Sequence, residues 1–184
     1  MAAELKTVID SATLQKRVAE LGAQISAHYA GQPLVAVCVL KGAFLFFADL
    51  VRHIKNDALE IDFLRLASYG GGTSRGGRTT FSKDLEVDVA GKHVLLVEDV
   101  VDTGHSVLFL LEQLAGRGAK SVRVCTAVDK HERREVDLKV DFAGFPLQKG
   151  FIVGYGMDYA EKYRELDAVY ELVPERDAGA REKP

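Results

Sequence analysis

Residues 94–106 read Val94-Leu95-Leu96-Val97-Glu98-Asp99-Val100-Val101-Asp102-Thr103-Gly104-His105-Ser106. The apolar opening, Val94 to Val97, has the composition of a buried strand, and the residues after Ser106 follow a helical period, so the stretch is a strand that turns into a helix through an acidic connection. Three carboxylates this close, Glu98, Asp99 and Asp102, repel one another and are tolerable where something cationic or polyhydroxylated sits among them. Thr103, Gly104, His105 and Ser106 add hydroxyls and backbone N–H groups at a helix start, the geometry that holds a phosphate. The plainer alternative is an acidic loop whose Asp or Thr caps the helix. Capping needs one such residue, and this segment supplies three acids followed by Thr-Gly. A sugar phosphate with its metal ion would suit the whole set.

The same strand-then-helix unit recurs on both sides. Leu14, Val18, Leu21 and Ile25 mark one helix face, with Asp10 or Ser11 as N-cap, so the first thirty residues are expected to be helical. Leu34 to Leu40 is a continuous apolar run that feeds a helix over Ala43 to Ile54 through Lys41-Gly42. Ile61 to Ala67 and Val122 to Val128 are further strands, and the helix after Ser106 presents Val107, Leu108, Leu111, Leu114 and Ala115 before Gly116 and Gly118 end it. Strands alternating with helices predict an α/β fold with a doubly wound, mainly parallel sheet flanked by helices. Ligands of such sheets lie beyond the carboxyl ends of the strands, where Leu40 to Gly42, Glu98 to Ser106 and Asp129-Lys130 would converge. Past Val128 the pattern breaks into short pieces around Phe142, Phe151 to Val153 and Val169 to Leu172, expected to form a small hood subdomain over the cleft.

At 184 residues the chain has the size of one domain, with a core over about 31–130 and one active site. A net charge of -3 offers no basic field for nucleic acid. Cys38 and Cys125 lie in apolar runs, the setting of free thiols in a reducing compartment. The N-terminus lacks a signal-peptide core and no apolar stretch approaches the ~20 residues of a membrane span, so a soluble cytoplasmic protein with no membrane partner is expected.

Three other segments carry chemistry. Ser68 to Thr80 holds five glycines in thirteen residues, a linker or hairpin turn on composition alone, or a lid carrying Tyr69, Arg75 and Arg78. Lys41-Gly42 closes a strand with a charge and a residue that lets backbone approach a ligand, although a lysine at a strand end is also simply solvated. Lys130 is followed some twenty residues later by Lys149-Gly150-Phe151-Ile152-Val153-Gly154-Tyr155-Gly156-Met157-Asp158, in which Phe151 taken alone has the character of a core residue. His28, His53, His93 and His131 have no partners at ligand spacing.

The segment 94–106 closely resembles the 5-phosphoribosyl-1-pyrophosphate (PRPP) binding motif of the type I phosphoribosyltransferases: an apolar run, two acids, two apolar residues, then Asp-Thr-Gly. Three further pieces are similar to the 6-oxopurine members of that family, of hypoxanthine-guanine type: Leu40-Lys41-Gly42, Ser68-Tyr69, and Lys130 followed by Phe151-Ile152-Val153-Gly154-Tyr155 and Asp158-Tyr159, with Ile152 in a valine position. The resemblance spans Leu40 to Arg164. It implies that Leu40 to Gly42 is a pyrophosphate loop, often with a cis peptide before the lysine, and that Ser68 and Tyr69 begin a mobile lid over 68–80. Lys41, Gly42, Ser68, Tyr69, Glu98, Asp99, Asp102, Thr103, Gly104, His105, Ser106 and Arg164 would bind PRPP, His105 standing where relatives often carry lysine. Phe151 would stack on the purine, Lys130 would donate to its 6-oxo group, and backbone groups near Ile152 and Asp158 would read its other edge. Asp102 becomes the candidate general base, and Glu98, Asp99 and Asp158 the candidate ligands of Mg2+. The implied activity is purine salvage from hypoxanthine or guanine and PRPP, by a homodimer or homotetramer. A transferase for another base, such as xanthine, shares the fold, and Lys130 argues against adenine, whose amino group would face a donor. A PRPP-binding transcriptional regulator would need a basic face or an added DNA-binding segment, and the sequence shows neither.

Overall fold

The computed structural model describes residues 4–69 and 78–173. In chain order its elements are β1 (Glu4–Ile9), α1 (Ser11–His28), β2 (Leu34–Val39), α2 (Phe44–His53), β3 (Leu59–Tyr69), β4 (Arg78–Lys83), β5 (His93–Val101), α3 (His105–Gly116), β6 (Ser121–Lys130), β7 (Phe142–Leu147), β8 (Ile152–Val153) and β9 (Val169–Val173). Six strands form the main sheet in the order β4-β3-β2-β5-β6-β7. All its neighbours are parallel except the β3–β4 pair at one edge.

β2 shows why the sheet is covered on both faces. All six of its residues are buried, and because successive side chains point to opposite faces, Ala36 and Cys38 pack with α1 and α2 while Val35, Val37 and Val39 pack with α3. The Asp10 carboxylate accepts the Thr13 N–H at 2.9 Å and starts α1, whose buried stripe is Leu14, Val18, Leu21 and Ile25. In α2 the buried residues are Phe46, Phe47 and Leu50, and in α3 Val107, Leu110 and Leu114. Phe44, at the start of α2, is exposed.

Three expectations are corrected. Glu4–Ile9 is a strand rather than the start of a helix, because it pairs antiparallel with β9, a partner far away in sequence. β5 does not stop at Val97 but runs to Val101, since the ladder to β6 continues through Glu98–Thr126, Val100–Val128 and Val101–Asp129. Phe142–Leu147 is the edge strand of the main sheet, parallel to β6, and not part of a hood. The remaining strands form a second sheet in the order β1-β9-β8, joining the two ends of the described chain. Ile9, Ile152, Tyr155, Met157 and Val169 pack into the core that holds α1 and α2. Of the expected lid, Ser68 and Tyr69 lie in β3 and pair with Thr79 and Arg78 of β4, while 70–77 lie outside the described residues. Among the described residues no helix is long and apolar enough to cross a membrane.

Candidate active site

Because β5 continues past Val97, Glu98 and Asp99 belong to a central strand, and their side chains lie within hydrogen-bonding reach of each other and line one hollow together. Burial pushes the Glu98 carboxyl well above the usual carboxylate range, and the neighbouring Asp99 charge pushes it further. Burial also raises Asp99, against the Val100 N–H that donates to its Oδ1 at 2.8 Å. Gly42 fits tightly against this pair: a methyl group at that position would overlap the Asp99 carboxylate. A methyl at Gly156, where φ is +98°, would in turn overlap the Gly42 carbonyl. Two glycines therefore let the Lys41 loop, the segment after β8 and the Asp99 carboxylate meet.

This donor set suits magnesium. It is all oxygen, and burial holds both carboxyls up, a penalty that a divalent cation would offset. Among the described residues no group of three His, Cys, Asp or Glu side chains could hold a metal unaided. Magnesium keeps several waters and takes substrate oxygens, so one or two protein carboxylates are enough.

At the end of β5 the chain turns through Asp102, Thr103 and Gly104 into α3. Gly104 is the N-cap, in a left-handed conformation with φ +89°, and no side chain caps the helix. Neither Asp102 nor Thr103 is therefore a capping residue, and the plainer explanation of the acidic loop falls. A side chain at Gly104 would also come within 2.6 Å of Val136 Cγ2. His105 and Ser106 occupy the first positions of α3, whose opening N–H groups have no acceptor within the helix and face the loop. The His105 ring is exposed and sits 2.8 Å from Glu135 Oε2.

Two adjoining hollows share Asp99, Val100 and Asp102. One is open to solvent and lined by Glu98 and by Thr103, Gly104 and Ser106. The other is also open to solvent and is lined by Lys130, Phe151, Ile152 and Asp158. Asp102 stands where they meet. Its Oδ2 lies 3.3 Å from Arg133 Nη1 and 4.0 Å from Lys130 Nζ, whereas Oδ1 is buried and, among the described residues, has no hydrogen-bond partner. Lys130 is only 8% exposed and donates to the Gly150 carbonyl at 3.0 Å. Phe151 is 53% exposed with Tyr159 edge-on to it at 5.6 Å, an open aromatic wall rather than the core residue its isolated sequence suggests. Ile152 is buried in β8.

Lys41 follows a cis Leu40–Lys41 peptide, and its Nζ lies 2.9 Å from Glu161 Oε2. Arg164 donates from Nη1 to the Gly156 carbonyl at 2.8 Å and pairs through Nη2 with Asp158 at 2.8 Å. Its Nε is buried without a hydrogen-bond partner among the described residues. Asp158 also accepts the Glu161 N–H at 2.9 Å, so it faces the second hollow already engaged. The side chains of Ser68 and Tyr69 lie outside the described residues.

Sequence reasoning missed Arg134. Its guanidinium donates to the carbonyls of Asp102 at 2.9 Å, Val101 at 3.1 Å and Lys130 at 3.1 Å, and to the Asp129 carboxylate at 2.6 Å. It thus ties the end of β5 to the end of β6 and sets the spacing of Asp102 and Lys130. The only local signal was a pair of arginines soon after Lys130, indistinguishable from a solvated charged loop.

A family model for the phosphoribosyl transferase domain matches residues 6–160. The hypoxanthine-guanine phosphoribosyltransferase of Bacillus subtilis is 42% identical over 169 residues, covering 92% of this chain and 93% of that protein. The hypoxanthine phosphoribosyltransferase of Salmonella typhimurium is 43% identical over 171 residues, 92% of this chain and 96% of its own. A crystal structure of a hypoxanthine-guanine phosphoribosyltransferase from Bacillus anthracis, 42% identical, superposes with a TM-score of 0.86 and covers 94% of this chain and 100% of that one. With a domain match, near full-length relatives and a common fold in agreement, the chain belongs to the phosphoribosyltransferase family.

Proposed function

We propose that this phosphoribosyltransferase joins hypoxanthine or guanine to the anomeric carbon of PRPP, releasing pyrophosphate and giving IMP or GMP in purine salvage. The observation that carries the proposal is the position of Asp102 between a hollow of carboxylates and helix-start N–H groups and a hollow of lysine and aromatic wall. The first hollow suits the ribose and its 5-phosphate, with the phosphate on the N–H groups of 103–106. The second suits a flat base. Phe151 offers it a stacking face, Lys130 a donor for the 6-oxo group, and the backbone beside Ile152 and Asp158 its remaining partners.

Loss of pyrophosphate builds oxocarbenium character on the ribose, which the carboxylates of Glu98 and Asp99 stabilise electrostatically while binding its hydroxyls. Glu98 and Asp99 would hold a magnesium ion and Asp158 a second one, which together would supply charge neutralisation for the leaving group. Lys41 and Arg164 are the cations of that leaving group. Asp102 Oδ1 takes the proton from the purine nitrogen as the new bond forms, while Lys130 and Arg133 lie beside its Oδ2. The protein works in the cytoplasm as a homodimer or homotetramer, and exposed Phe44 and Ile61 offer apolar surface for self-association.

Purified protein supplied with PRPP, magnesium and each of five bases in turn (hypoxanthine, guanine, xanthine, adenine and orotate) tests the proposal. Turnover of hypoxanthine or guanine with release of pyrophosphate is expected. Efficient use of xanthine alone, or PRPP binding with no turnover of any base, would overturn it.

A further inference from the structure

Residues 159–162 form a tight reverse turn. Tyr159 N–H donates to the Lys162 carbonyl at 3.2 Å and Lys162 N–H returns a bond at 3.1 Å. The two residues between, Ala160 and Glu161, have φ of +51° and +65°. Both central residues in the left-handed region is the hairpin turn normally built from Asn-Gly, and L-residues with a Cβ occupy it at a cost. Nothing local favours Ala-Glu in this turn. What the turn achieves is to aim the Glu161 carboxylate between two cations: Oε2 lies 2.9 Å from Lys41 Nζ and 3.3 Å from Arg164 Nη2. The Glu161 N–H on Asp158 Oδ2 at 2.9 Å holds the turn in register with the site. Lys41 and Arg164 hold the Glu161 carboxyl below the usual carboxylate range, as expected of an acid lodged among positive charges.

We propose that Glu161 is an internal anion at the pyrophosphate subsite, occupying the cations that would meet the leaving group and setting the affinity for PRPP. The inference rests on the reading of Lys41 and Arg164 as pyrophosphate contacts. Pyrophosphate must displace the carboxylate on arrival, and the carboxylate competes for the same cations as pyrophosphate departs. Glu161 is a positioning and affinity-setting residue rather than a catalytic one, and it is 63% exposed by side chain, so replacing it leaves the core untouched.

The test compares wild type with Glu161→Gln, which keeps the shape and removes the charge. Exposed ion pairs are weak, so the Michaelis constant for PRPP and the dissociation constant for inorganic pyrophosphate, read by calorimetry with magnesium and no base, should both fall about two- to tenfold. The constant for hypoxanthine should not move, and the gain should shrink at about 0.5 M salt, where exposed charges are screened. In a Lys41→Ala background the same substitution should bring a smaller gain, because one of the two competed cations is gone. Unchanged or weaker PRPP and pyrophosphate binding by Glu161→Gln, with wild-type turnover of hypoxanthine intact, would overturn the role of Glu161 alone. A wild-type protein without PRPP-dependent turnover would instead remove the reading beneath it.

Discussion

The two carboxylate oxygens of Asp102 are not equivalent. Oδ2 faces Arg133 and Lys130, while Oδ1 is buried and unpartnered among the described residues, an acceptor left open toward the point where ribose and base would meet. A buried acceptor without a donor is costly, and its natural relief is the proton of the incoming purine. Asp102→Asn keeps the shape but cannot accept that proton. Turnover should fall about 10²–10⁴-fold while the Michaelis constant for PRPP stays close to wild type. Steady-state kinetics with both substrates varied decides it, and turnover within about threefold of wild type would exclude the role. Asp102 was legible in the sequence through its Asp-Thr-Gly context. Arg134 was not, because its value comes from four acceptors gathered from the ends of two strands, and no local pattern announces such a meeting.

Strands and helices were readable where one face or both faces are apolar. β2 is apolar throughout and α1 has a clean stripe, so a short continuous apolar run placed the one and helical periodicity the other. β1 is mostly exposed and owes its form to β9, and the end of β5 carries acids that hide its strand character. A similar long-range device pins the β3–β4 hairpin. The buried Asp62 of β3 accepts N–H groups from Phe63 at 2.7 Å, Glu86 at 2.7 Å and Val87 at 2.8 Å, with Lys83 nearby at 3.7 Å. Burial alone would raise its carboxyl, but the three N–H groups and Lys83 outweigh it and hold the carboxyl below its ordinary 3.8. A depressed acid contributes stability that is present above its unfolded value and is lost as pH falls through the folded one. Asp62→Asn should therefore cost about 1–3 kcal/mol near neutral pH, and the gap to wild type should narrow below about pH 4. Urea unfolding at both pH values checks this, and a gap that is constant or widens on acidification would contradict it.

Specificity belongs to the molecule as a whole, since no single element holds the second hollow. Lys130 ends β6 of the main sheet, whereas Phe151 and Ile152 come from the segment that builds the small sheet, and they meet only in the lining of this hollow. The sequence showed both motifs, but the resemblance to a known family, not periodicity, joined them across about twenty residues. If they read a 6-oxopurine, a buried lysine donor should reject adenine, whose amino group would meet it without an acceptor. Lys130→Gln should relax that rejection, because a side-chain amide can turn its oxygen toward an amino group. The decisive measurement is the ratio of kcat/KM for hypoxanthine to that for adenine, in wild type and in Lys130→Gln. The expected result is a wild-type ratio of several orders of magnitude that collapses toward unity in the variant; a wild type that uses adenine as well as hypoxanthine, or a ratio unmoved by Lys130→Gln, would contradict it.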